Sequence, residues 1–110
     1  MNNVADKKIL SLFGLAARAG RIASGEFQTE TAVKDGTAKL VVVAEDASDN
    51  TKKLFRDKCS FYKVPNITLG TKEELGHAIG KEFRASLAVL DEGFANAIMK
   101  KMEDNNQSGQ

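Results

Sequence analysis

Two short clusters of side chains in this sequence are equipped for contact chemistry. The first is Gly25-Glu26-Phe27-Gln28, with Thr31 one helical turn later. Ser24-Gly25 reads as a helix start, and a helix start presents unpaired N–H groups and a partial positive charge. Phe27, Gln28 and Thr31 fall on its outward turn, where they can stack and hydrogen-bond but make poor acid–base catalysts. The second cluster is Lys81-Glu82-Phe83-Arg84, a basic and aromatic run that suits stacking combined with phosphate contact. Arg21, Lys34 and Lys39 add cations around the first cluster. Both clusters point to the reading of a nucleic acid, RNA in particular, rather than to bond-making.

Other chemistries lack their residues. Cys59 is the one cysteine, so no internal disulfide can form, and no Cys/His group has metal-ligand spacing. His77, the one histidine, is expected to be exposed and idle, which leaves no nucleophile with a base and no enzyme. Gly20 and Gly25 do not form the G-x-G-x-x-G spacing of a dinucleotide site, and no cofactor is expected. Glu45-Asp46 reads as a helix cap rather than a ribose-binding pair. Sixteen Lys+Arg against fifteen Asp+Glu give a net charge of +1, so any polyanion site must be a local patch. The opening MNNVADKK has no apolar stretch of signal-peptide length. The longest apolar run, Leu40–Ala44, falls far short of the roughly 20 residues of a membrane span. The expectation is a reduced, soluble, cytoplasmic monomer with no membrane or DNA partner.

These clusters need elements to hold them. Lys7–Ala19 places Ile9, Leu12, Phe13, Ala16 and Ala17 at helical spacing, with Gly20 as a left-handed stop. Arg21–Ala23 is a short strand. Within Glu26–Asp35, Thr29, Ala32, Val33 and Gly36 share the core face, which turns Phe27, Gln28, Thr31 and Lys34 outward. Leu40–Ala44 is a strand buried on both faces. Ser48 or Asp46 caps a third helix to Tyr62, with Leu54, Phe55, Cys59 and Tyr62 inward, and Pro65 ends it. Asn66–Leu69 is a strand. Thr71-x-x-Glu74 is a capping box opening Lys72–Ile79. Ser86–Leu90 is the last strand and Gly93–Met102 the last helix. The alternation predicts an α/β fold, a three-layer α/β/α sandwich of one domain (residues 1–102) with a mixed central sheet. Glu103–Gln110 has nothing to bury and is expected to be a mobile tail.

Gly20-Arg21-Ile22, then Gly25, then Ala32-Val33-x-x-Gly36-x-Ala38-Lys39-Leu40-Val41-x-x-Ala44-Glu45-Asp46 resembles the signature of the kink-turn RNA-binding ribosomal-protein superfamily. Lys63-Val64-Pro65, Leu75-Gly76-x-Ala78-x-Gly80 and Ala85–Leu90 continue the resemblance in order, over residues 7–100. With AEDAS (Ala44–Ser48) and DEGFANAI (Asp91–Ile98), the chain is similar to the short bacterial YlxQ-type members.

The resemblance implies an α/β/α sandwich and a structured RNA partner, a kink-turn in ribosomal or messenger RNA. In the superfamily the N-terminal turn of the second helix enters the major groove where tandem sheared G·A pairs open it. A loop before the last strand covers the extruded bulge bases. Ordinary double-helical RNA hides that groove. On this chain the turn is Gly25–Thr31 and the loop Lys81–Ala85. Where the superfamily commonly has Asn-Glu followed three residues later by Lys, this chain has Phe27-Gln28 and Thr31. Gln28 keeps the reach of Glu and both donates and accepts. Phe27 either stacks on a base or tucks back against the first helix. Thr31 lacks the cation, and Glu26 and Glu30 repel phosphate. Phe83 either covers a base or enters the core. The competing reading is a protein-interaction adaptor that keeps the fold without RNA affinity.

Overall fold

Asp6 opens the first helix, α1 (Lys7–Arg18), by accepting the Lys8 amide at 2.6 Å. This bond holds the Asp6 carboxyl below the usual carboxylate range, with help from Asn105. The computed structural model describes residues 6–108; residues 1–5 and 109–110, with the opening read for a signal segment and the end of the expected tail, lie outside them. After α1 come β1 (Ile22–Ser24), α2 (Glu26–Lys34), β2 (Leu40–Val43), α3 (Asp49–Tyr62) and β3 (Asn66–Thr68). The chain then forms α4 (Lys72–Ala78), β4 (Ser86–Val89) and α5 (Glu92–Ser108). The capping box at Thr71 is complete: its hydroxyl accepts the Glu74 amide at 3.0 Å and Glu74 accepts the Thr71 amide at 2.9 Å.

The strands form one mixed sheet in the order β1-β4-β2-β3. β4 is antiparallel to both β1 and β2, and β2 is parallel to β3. Every residue of β2 and β4 is buried, which is why Leu40–Val43 reads as an unbroken aliphatic run. α2 and α3 cover one face of the sheet, while α1, flanked by α4 and α5, covers the other. Phe13 and Phe55 are fully buried in the two layers, and each side chain contributes about 1.5–3 kcal/mol of burial free energy. The expected three-layer sandwich is what the chain forms. Among the described residues no helix is long and apolar enough to cross a membrane.

Four local expectations are corrected. Tyr62 is not inward: it sits at the end of α3 and is 39% exposed, against Phe55 and Cys59, which are buried. Gly36 does not share the buried face of α2 but lies beyond its end, exposed, at φ +84°. Asp46 does not cap α3, which Ser48 opens by accepting the Thr51 amide; Asp46 accepts the Lys72 amide at 2.8 Å and so anchors α4. The last helix runs past its expected end at Met102 and continues to Ser108, through the stretch expected to be a mobile tail. Asn105 donates to Asp6 at 2.9 Å, so α5 is long enough to reach back to the start of α1.

Candidate nucleic-acid interface

α2 begins differently from its neighbours. α1, α3, α4 and α5 start under side-chain caps from Asp6, Ser48, Thr71 and Asp91. α2 starts at Gly25, with φ +90° and ψ 160°, and among the described residues no side chain caps it. Its first intrahelical bond is the Thr29 amide to the Gly25 carbonyl at 2.9 Å, so the amides of residues 26–28 precede the helical ladder. That conformation belongs to glycine, and a Cβ on Gly25 would meet nothing within 4 Å. The helix start is therefore bare as well as uncapped, a place where phosphate oxygens or base edges can approach backbone N–H groups.

The side chains follow the helical period. Thr29, Ala32 and Val33 are buried, while Phe27, Gln28, Thr31 and Lys34 are exposed. Phe27 is 76% exposed, so it is free of α1 and its ring is presented to solvent. The acidic neighbours are already engaged. Glu26 accepts from the Thr51 hydroxyl at 3.3 Å, and Glu30 sits 3.7 Å from Lys58 and 3.8 Å from Lys34. Their negative charge is partly offset before any ligand arrives.

The second cluster lies beside the first. The 81–85 segment leaves the end of α4 and enters β4, and Phe83 in it is 60% exposed rather than in the core. The Arg84 guanidinium Nε donates to Ser24 Oγ at 3.1 Å, across 60 residues of sequence, and its Nη1 donates to the Phe83 carbonyl at 2.7 Å. The Gly25 amide donates to the Ser86 carbonyl at 3.0 Å. Beneath this junction the buried Ser86 and Thr29 hydroxyls meet at 3.5 Å, fixing α2 against β4. Gly25–Thr31 and Lys81–Arg84 thus form one surface, with Lys81 and Glu82 exposed at its rim.

Two residues outside the predicted set hold this surface in shape. Ser24 is the acceptor for Arg84. Gly76 is the seat of the loop: a Cβ there would lie 2.5 Å from the Glu82 carbonyl oxygen and 2.8 Å from the Phe83 nitrogen. The Lys81 amide also donates to the Gly76 carbonyl at 2.7 Å. A glycine inside a helix, at a cost of about 1 kcal/mol against alanine, is the signal that marks such a close approach.

Three predicted residues stand apart. The register pairs Ile22 with Val89 and Val89 with Leu40, so Arg21 and Lys39 sit at the opposite end of the sheet from Gly25 and Ser86. At about 3.3 Å per residue this is a separation of about 10–13 Å along the strands. Lys34 is at the far end of α2, about 12 Å from its start by helical rise. These cations do not share a patch with Gln28 and Phe83. Among the described residues no group of acidic, His and Cys side chains could hold a metal ion. Cys59 is buried, and desolvation pushes its thiol up to about 11, well away from thiolate chemistry at neutral pH.

The surface and its scaffold have relatives. Residues 7–99 match the description of the ribosomal protein L7Ae/L30e/S12e/Gadd45 family. The chain is 45% identical over 92 residues to the RNA-binding protein YlxQ of Bacillus subtilis (strain 168), covering 84% of this chain and 92% of that protein. It is 41% identical over 103 residues to the RNA-binding protein YlxQ of Enterococcus faecium, covering 94% and 99%. The solved structure of a Bacillus halodurans C protein of unknown function superposes with a TM-score of 0.83 at 42% identity, over 86% of this chain and 96% of that one. A Giardia lamblia 15.5kD RNA binding protein shares the fold alone, with a TM-score of 0.73 at 23% identity over 88% and 87% of the two chains. From the family match and the two close relatives it follows that this chain belongs to the ribosomal protein L7Ae/L30e/S12e/Gadd45 family.

Proposed function

We propose that this chain is a non-catalytic RNA-binding protein that recognises a sharp, kink-turn-like bend in ribosomal or messenger RNA, acting as a cytoplasmic monomer. The observation that carries the reading is the junction of the uncapped α2 start with the Phe83 loop, held by Arg84–Ser24 and Gly25–Ser86. A helix start with free amides receives phosphate, Gln28 reaches base edges, and two exposed rings, Phe27 and Phe83, offer stacking platforms. A regular duplex offers no unstacked base to these rings, whereas a kinked one does. The YlxQ relatives are named as RNA-binding proteins, and their likeness covers 84% and 94% of this chain.

The low net charge of +1 favours a second reading, an adaptor that binds protein through the same exposed rings. The two separate in one titration. Binding of a kink-turn RNA is compared with that of an unbent duplex of equal length over a range of salt. The RNA reading expects preference for the kinked form and a shallow salt slope, corresponding to about two to four phosphates at about −0.7 to −0.9 each. Equal affinity for bent and straight RNA at moderate salt would overturn it.

A further inference from the structure

The cations stranded at the other end of the sheet do not stand alone. The ends of α2 and α3 and the start of α5 enclose a cleft of about 520 Å³, within the range of about 300–1,000 Å³ typical of small-ligand sites. Its apolar floor includes Val33, Val64 and Met99, and Tyr62, Lys34, Lys39 and Lys63 also line it. Tyr62 is 39% exposed there, and its ring meets that of Phe61, itself 76% exposed, edge-on at 4.9 Å. Among the described residues Lys39 and Lys63 form no ion pair, and Lys34 has only a long one, to Glu30 at 3.8 Å.

Lys63 carries a further mark. It is the one non-glycine described residue with positive φ, at φ 59° and ψ 47°, where a glycine or asparagine would be easier. A lysine thus stands, against backbone preference, at a helix end that borders the cleft. The acidic lining is small and differently disposed. The Asp35 carboxylate is taken by the Thr37 amide at 3.1 Å and the Thr37 hydroxyl at 2.7 Å. Glu92, exposed at the start of α5, can accept from a base N–H, the N3–H of uracil included.

We propose that this cleft is a second RNA site, which takes one unpaired nucleotide with its base against Tyr62 and the apolar floor and its phosphates at Lys39 and Lys63. Apolar walls with a stacking ring suit a base of any sequence, and a cationic rim suits the backbone on either side of it. The site rests on the reading of this chain as RNA-binding, but it is separate in space from the Gly25–Phe83 surface. It gives the protein two grips on one RNA, a bend at one end of the sheet and a single strand at the other. Two linked contacts hold more tightly than either one when the RNA can span them.

The test titrates the isotope-labelled full chain with a five-nucleotide single-stranded oligouridylate and follows the backbone amides by NMR. Saturable shifts at residues 34–39, 62–64 and 92–96 are expected, with little change at 25–28. The double variant Lys39→Gln, Lys63→Gly should lose at least tenfold in affinity at the cleft; glycine suits the left-handed position, so the fold is retained. The same variant should still prefer a kink-turn to a duplex, whereas Gln28→Ala should leave the oligouridylate shifts unchanged. No shifts in the cleft at saturation, shifts confined to 25–28 and 81–84, or wild-type affinity in the double variant would each overturn the proposal. Equal shifts with a hexaglutamate peptide would overturn it too, since the cleft would then be a general anion or protein contact. Loss of kink-turn preference in the wild type, with the cleft shifts intact, would sink only the first reading.

Discussion

Replacing Gly76 by alanine tests the loop seat directly. The added Cβ would stand 2.5 Å from the Glu82 oxygen, 2.6 Å from its carbon and 2.8 Å from the Phe83 nitrogen, against an ordinary contact beginning at 3.4 Å. The 82–83 peptide must therefore retreat by 0.9 Å, the difference between 3.4 and 2.5 Å, and because all three atoms are backbone no side-chain rotation relieves it. That retreat strains the Lys81 amide bond to Gly76 and the Arg84 amide bond to Lys72, at 2.7 and 3.0 Å. Overpacking of this kind costs about 1–3 kcal/mol, and a weakened hydrogen bond adds about 0.5–1.5 kcal/mol. Alanine returns about 1 kcal/mol of helix propensity in α4. The net is a loss of about 0.5–3.5 kcal/mol, or a fall in Tm of at least about 2 °C.

The same substitution reports on binding. Phe83→Ala alone should cost about 1–3 kcal/mol of kink-turn affinity if its ring covers a base, with little loss of stability. Gly76→Ala should reduce affinity through that ring, so in the Phe83→Ala background it should add little; the double-mutant cycle reads this coupling. A Gly76→Ala protein more stable than the wild type would refute the seat. Fully additive losses in affinity would refute the route through Phe83.

Three further outcomes are expected. Gln28→Ala should weaken kink-turn binding more than Lys34→Ala, and its effect should vanish when the G·A pairs are replaced, since Gln28 reads bases and Lys34 lies at the other end of α2; equal losses on intact and replaced pairs would remove Gln28 from base reading. Thr31→Lys, on an exposed position, should tighten binding and steepen the salt slope by about one phosphate, measured by titration at several salt concentrations. The buried Cys59 thiol, neutral in the fold up to about 11 against 9.0 in the open chain, contributes stability that is whole below pH 9 and is lost as pH rises toward 11. Urea unfolding from pH 8 to 11 should show that decline in the wild type and less of it in Cys59→Ala.

Much of the scaffold could be read from the chain because local signals agreed with one another. The Thr71–Glu74 box and the unbroken Leu40–Val43 run each had a single sensible meaning, and the structure uses each that way; of the two caps open for the third helix, Ser48 and Asp46, it uses Ser48. The outward turn Phe27, Gln28, Thr31 followed from helical period alone. What was hidden depends on which way strands run. Arg21 and Lys39 are close in sequence to the α2 start, yet the antiparallel pairing of β4 with β1 and β2 sends both to the far end of the sheet. Tyr62 has the spacing of an inward residue but falls in the last turn of α3, where the helix has run past its support. The Glu103–Ser108 stretch has no apolar face to announce a helix; it continues one already anchored, with Asn105 on Asp6.

The place of β4 in the sheet sets an order of events during synthesis. Among the described residues it is the last strand to leave the ribosome, yet it sits between β1 and β2, and β1 pairs with no other strand. Until residues 86–89 have emerged, β1 has nothing to pair with and Gly25 has no Ser86 carbonyl to hold it. A nascent or truncated chain that stops short of β4 therefore lacks the surface altogether, even though every residue of α2 is present. On the proposed RNA reading, a chain gains this grip on RNA only once residues 86–89 have emerged and paired.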